Sequence, residues 1–223
     1  RVAYDLILQA ESGIMSMNGT PESGPVKMPI AFIDVLAAHH LKEGLLIELL
    51  KKENQKKNYK GASVSVSLYD AAVSSLVNQA SNYLMTGKVP ERIGSLHPNI
   101  APYGELFTTK DNKLITFAIG SNRHFEVLCE YLELPDLVQH ENYQTVQARV
   151  EHRSELFQIL NVKVKEKETQ QLLNYMHQNY VPAGAIKNLK EVFDTNEAQE
   201  LVREEKISGV TTKRVSTIAF KSK

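Results

Sequence analysis

Ala62-Ser-Val-Ser-Val-Ser-Leu68 alternates small polar with apolar residues, the period-two pattern of a strand buried on one face. On either side of it the period changes. From Asp34 to about Glu53, Leu41, Leu45, Ile47, Leu49 and Leu50 supply the buried side of a predicted long helix. Asp70 to Met85 returns to helical periodicity and ends at Gly87, a helix stop. Lys56 to Gly61 is the connection. Helix, strand and helix in that order predict part of an α/β layer structure with some parallel pairing.

Upstream, Tyr4 to Ser12 reads as a short helix stopped at Gly13, and residues 18–25 as a turn-rich surface loop. Val26 to Ile33 is apolar and extended in character. Downstream, Lys88 to Pro102 carries three prolines and reads as a linker between domains. Strands are predicted at Glu105–Thr109 and Leu114–Ile119, joined by a turn at Lys110–Lys113, and a short one at Val181–Ile186. Helical segments are expected at about 122–133, 145–166 and 168–179, then at Leu189–Phe193 and Glu197–Glu205, with a strand-like end at Val215–Phe220. This divides the chain into residues 1–87 of a large domain, a linker at 88–102, a small α+β domain at 103–186, and a return toward the large domain from 187 to 223.

Lys+Arg and Asp+Glu balance at 26 each, which leaves no basic field for nucleic acid or anionic lipid. The five lysines between Lys51 and Lys60 read as a solvated helix end or loop. Cys129 is the single cysteine, so a disulfide within the chain and a cysteine-based zinc site are both excluded. Its neighbours Val127, Leu128 and Leu132 predict a buried structural thiol, and a reducing, cytoplasmic compartment suits it. No apolar run approaches the roughly 20 residues of a membrane span. The chain opens at Arg1 with no initiator Met and reads as a fragment.

Asp34 is the first candidate for chemistry. It lies between Pro29-Ile-Ala-Phe-Ile33 and Val35-Leu-Ala-Ala38, an apolar setting that predicts a desolvated carboxylate needing hydrogen-bond donors, as a nucleophile does. The same residue also reads as the N-cap of the helix that starts here. His39 and His40 point about 100° apart on a helix and do not chelate a metal together. His97, in an irregular segment, reads as structural or functional alike. Neither a G-x-S-x-G elbow nor a Gly-rich phosphate loop occurs.

Five segments, in order, resemble family III CoA-transferases, the group that includes formyl-CoA and carnitine-CoA transferases. They are Tyr4-Asp-Leu-Ile-Leu-Gln-Ala-Glu-Ser-Gly13, Pro29-Ile-Ala-Phe-Ile-Asp34, Gly61 with Val64-Ser-Val-Ser-Leu-Tyr-Asp-Ala71, His97-Pro-Asn-Ile-Ala-Pro-Tyr103 and Val181-Pro-Ala-Gly184. The resemblance implies a Rossmann-like large domain with a parallel sheet, a smaller α+β domain, and an interlocked homodimer in the full-length protein. It implies transfer of CoA from an acyl-CoA thioester to a small carboxylic acid through aspartyl-anhydride and aspartyl-CoA intermediates on Asp34. Tyr4, Asp5 and Leu68 match positions at the substrate and CoA pocket, with an N-cap or surface role equally open for Asp5. CoA enters as substrate; no tightly bound cofactor, metal, nucleic acid or membrane is implied.

The chain departs from the family pattern at Ala38, where the usual residue is Gly, and at Lys51-Lys52, where an Arg is common. The family's N-terminal segment does not align with any part of it, which keeps a non-catalytic interaction module as an alternative. The related α-methylacyl-CoA racemases, a second alternative, need a His where this chain has Tyr4 and a Glu near Ser121-Asn-Arg123, so both acid–base partners are missing.

Overall fold

The computed structural model describes residues 4–221, and this stretch divides after Pro98 into two compact units. The first unit is helical. Helix α1 (Asp5–Glu11) stops at Ser12, and Gly13, at a φ of 91° that a side chain would resist, turns the chain into the short α2 (Ile14–Met17). After an irregular stretch, α3 (Phe32–Gln55) runs for 24 residues, starting two residues ahead of Asp34. Helices α4 (Leu68–Ser74) and α5 (Val77–Thr86) replace the single helix expected from Asp70. The hydroxyls of Ser74 and Ser75 donate to the carbonyls of Ala71 and Ala72, 2.9 and 2.7 Å away. Such back-bonding competes with the helical ladder where the two helices part.

The strand expected at Ala62–Leu68 does not form; residues 61–67 run without regular structure into α4. Alternation supplies a strand's side-chain pattern, but a strand also needs a neighbour for its amides and carbonyls. Every strand pairing among the described residues is antiparallel, where some parallel pairing was expected. The segment instead lies close to α3: a Cβ on Gly44 would come within 2.6 Å of Val64 Cγ1, so only glycine allows this approach.

The buried side of α3 also differs from expectation. Ile33 and Ala37 are its buried residues, whereas Leu45, Ile47, Leu49 and Leu50 are exposed. Only the N-terminal part of α3 is enclosed, by α1 and α4, in a small cluster of Leu8, Ile33 and Ala72 with Ile14 and Leu68 against it.

The second unit carries the main core. Strands β1 (Tyr103–Thr108), β2 (Leu114–Ala118) and β3 (Ala183–Ala185) form an antiparallel sheet in that order, with Phe107 opposite Ile115 and Thr116 opposite Gly184. Helices α6 (Asn122–Tyr131), α7 (Val146–Glu151), α8 (Arg153–Val164) and α9 (Thr169–Gln178) belong to the same unit. Phe107, Phe117, Phe125, Leu128, Leu160, Leu172 and Met176 fill the interior they share with the sheet, and Cys129 is buried among them. Burial pushes the Cys129 thiol up to about 12, as suits a packing residue and not a nucleophile.

The side chain of Arg149 is fully buried without a carboxylate partner. Its guanidinium donates to the carbonyls of Ala101 and Tyr143 and to Asn122 Oδ1, at 3.0, 2.7 and 3.0 Å, and lies over the Phe125 ring. Beyond the core, α10 (Leu189–Phe193) and α11 (Asn196–Gln199) lead into a hairpin of β4 (Val202–Ile207) and β5 (Val210–Val215). The helix expected at Glu197–Glu205 thus ends early, and the strand expected at Val215–Phe220 lies earlier in the chain. Ser208 and Gly209, both at positive φ, make the two-residue turn that imposes the hairpin.

Candidate functional site

Asp34 occupies the third position of α3, not its N-cap. Ala31 precedes the helix and has no capping side chain. The role falls to Asp5, 28 residues away, whose Oδ1 accepts the amide of Ile33 at 2.7 Å. Gln9 lies one turn further along α1, on the same face as Asp5. Its Nε2 donates to Asp5 Oδ2 at 2.5 Å, and its Oε1 accepts the amide of Met28 at 2.8 Å. Two backbone amides bracketing residues 28–33 are therefore held by one pair of side chains on another helix. Gln9 is 0 % exposed.

Helical geometry then decides which way the next residues face. Ile33 and Ala37, four apart, turn inward; Asp34, Val35 and Ala38 turn outward. The carboxylate of Asp34 is consequently exposed in this chain, and the apolar sequence around it does not enclose it. Tyr4, the residue before α1, is 75 % exposed. Tyr4 and Asp34 each adjoin one partner of the Asp5–Ile33 hydrogen bond, and Leu68 packs against the cluster that buries Ile33. Of the four residues singled out in the sequence, Asp5 and Leu68 touch the backbone or the cluster around Ile33, whereas Tyr4 and Asp34 are exposed. Gln9 was quoted in the motif but given no role; its spacing of four from Asp5 was the available signal.

The histidines stand apart from these residues. His39 Nδ1 lies 3.2 Å from Lys42 Nζ and His40 Nδ1 lies 3.4 Å from Glu43, each a local surface contact on α3. His97 is half-buried in the irregular segment before the second unit. Among the described residues no group of three His, Cys, Asp or Glu side chains could hold a metal ion, and no helix is long and apolar enough to cross a membrane. A recess of about 390 Å³ between α10, α11 and the β4–β5 hairpin, lined by Phe193, Val202, Lys213 and Arg214, includes none of the candidate residues.

The pattern named CoA-transferase family III matches residues 1–221 of the chain. The chain belongs to CoA-transferase family III. Among family members it is 34 % identical over 196 residues to the succinate–glutarate CoA-transferase of Agrobacterium fabrum, covering 88 % of this chain and 48 % of that protein. It is 33 % identical over 193 residues to human succinyl-CoA:glutarate CoA-transferase, covering 86 % of this chain and 43 % of the other. The family III chain spans about half the length of the curated relatives it matches. In three dimensions it resembles a CAIB/BAIF family protein from Brucella suis, with a TM-score of 0.74 and 30 % identity over 99 % of this chain and 57 % of that one. It also resembles Rv3272 of M. tuberculosis, with a TM-score of 0.82 and 25 % identity over 100 % of this chain and 58 % of the other. The chain itself is mixed α/β, with helices and antiparallel strands among its described residues.

Proposed function

We propose that the whole protein transfers CoA from an acyl-CoA thioester to a carboxylic acid, with Asp34 as the group that carries the acyl unit. The observation that carries this reading is the opposite facing of two adjacent residues: Ile33 is locked into the core while Asp34 stands free in the first turn of α3. A nucleophile must be held by its backbone and left open at its reacting atoms.

In the proposed cycle an Asp34 carboxylate oxygen attacks the thioester carbonyl, the carbon–sulfur bond breaks, and CoA leaves as thiolate. The thiolate attacks the Asp34 carbonyl of the resulting mixed anhydride, expels the donor acid as carboxylate and leaves an aspartyl-CoA thioester. The acceptor carboxylate then attacks that thioester and expels the thiolate. Thiolate attack on the acceptor's carbonyl releases the new acyl-CoA and regenerates Asp34. The resemblance assigns Tyr4, Asp5 and Leu68 to the pocket that receives the acyl-CoA. Both acyl-enzyme species hydrolyse if water reaches them, so the exposed patch must be covered in the working enzyme. In the whole protein the exposed leucines of α3 suit burial against further protein, in the homodimer expected of the family.

The same reading assigns residues 1–87 to a Rossmann-like large domain, 103–186 to the small domain, and 187–223 to a return toward the large one. Residues 61–67, which pass close to Gly44 at Val64, are the candidate for a strand of its parallel sheet. Relatives named for succinate, glutarate, mesaconate and oxalate favour a dicarboxylic acid as substrate. Cytoplasmic residence is consistent with the buried, unpaired Cys129.

The test is made in the complete protein. Incubation with succinyl-CoA and hydroxylamine yields a hydroxamate at Asp34, and Asp34→Ala abolishes exchange with glutarate. Exchange that survives Asp34→Ala at the parent rate overturns the assignment.

A further inference from the structure

We infer that Gln9 is a positioning residue for Asp34, acting through Asp5 and the backbone amides of Met28 and Ile33. The inference rests on Asp34 as the nucleophile. An uncharged amide side chain that is 0 % exposed is costly to bury unless both its ends are bonded, and both are. The partners also fix its orientation. The Met28 amide is a donor and so must face the oxygen; the Asp5 carboxylate accepts and so must face the nitrogen.

Gln9 therefore does two things at once. It anchors the start of the segment that leads into α3, and it holds the Asp5 carboxylate with Oδ1 on the Ile33 amide, one residue before Asp34. Pro29, inside the bracketed segment, has no amide to offer, and Ala31 has no capping group, so the local chain supplies little of its own to fix the first turn. The packing of Ile33 against Leu8 and Ala72 sets its depth, and the two hydrogen bonds set its direction.

The relay has a defined polarity, and reversing it provides the experiment. In Gln9→Glu two carboxylates face each other; in Asp5→Asn two amide nitrogens do. In the double variant the new Asn oxygen still accepts Ile33 N–H, its nitrogen donates to the new Glu, and the second Glu oxygen accepts Met28 N–H. Every bond is restored, with donor and acceptor exchanged only between residues 5 and 9. In the complete protein each single variant should lower kcat and the rate of hydroxamate formation at Asp34 by about tenfold or more, with KM for succinyl-CoA within about twofold. The double variant should return to within about threefold of the parent.

A double variant that folds but remains as slow as the slower single variant overturns the inference, because Asp5 then acts by its charge on the substrate. Single variants that lower the melting temperature while kcat at 25 °C is unchanged overturn it too, since the relay then serves stability alone. Should Gln9→Glu fail to fold, Asp5→Asn and the double variant make the same comparison. If Asp34→Ala is inactive and the cycle shows no rescue, only the role of Gln9 falls; if Asp34→Ala remains active, both readings fall together.

Discussion

The two units of this chain bury their apolar residues to different degrees. In the second, phenylalanines from two strands and a helix meet the leucines of α6, α8 and α9 in one continuous interior, and even an arginine is enclosed with its hydrogen bonds met. In the first, the buried cluster is three residues with two more against it, and the leucines of α3 face outward. Yet the candidate chemistry lies in the first. The difference teaches that the second unit holds itself together, whereas the first is organised around a few directional hydrogen bonds, those of Asp5 and Gln9 foremost.

That contrast can be broken at its strongest point first. Phe107→Ala should destabilise the second unit by about 4 kcal/mol through lost burial and the cavity left behind. Cys129 is a built-in reporter of this: alkylation of its thiol requires opening of the core, so the labelling rate of the variant should rise steeply while the parent resists. Next, Arg149→Met removes three hydrogen bonds, two of them to the carbonyls of the buried Ala101 and Tyr143, and should cost about 3 kcal/mol in urea unfolding. A loss no greater than that of a surface substitution would show that the guanidinium is dispensable to the core.

Acid provides a gentler probe. The hydroxyls of Thr169 and Thr109 donate to the Asp111 carboxylate and hold it down to about 2, below its ordinary value. A carboxylate depressed on folding contributes stability above its unfolded pKa of about 4, and that contribution is lost as pH falls toward about 2. The melting temperature of the second unit should therefore fall across this window, and Asp111→Asn should flatten the dependence. The smallest effect is expected at the exposed Leu46 of α3, where substitution by Ala should change the stability of this chain by less than about 0.5 kcal/mol. A larger loss in the complete protein than in the chain alone would show that further protein covers this face.

Much of the second unit was legible in the sequence because its signals are local: alternation in β1 and β2, helical periodicity in α6 to α9, and turn residues between them. The failures have physical causes. Residues 62–68 carry the alternation of a strand, but pairing depends on a neighbour that no window of sequence reveals. The helix expected at Glu197–Glu205 overran its end, because Ser208-Gly209, with positive φ angles, commits the flanks to a hairpin. At the candidate site the motif residues were found by resemblance, and the structure ties the backbone beside Asp34 to Asp5. Their division of labour was not legible. Asp34 looked like its own helix cap because capping is usually local, and here the cap arrives from another helix.

The remote cap has a consequence for position 31. A helix that borrows its first acceptor leaves the adjacent residue without that duty, so Ala31 can remain a bare methyl next to the turn that presents Asp34. A Ser, Thr or Asp there would compete with Asp5 for the same amide and uncouple the two helices. Smallness at position 31 is in this sense a condition of the long-distance tie, and the tie a licence for smallness.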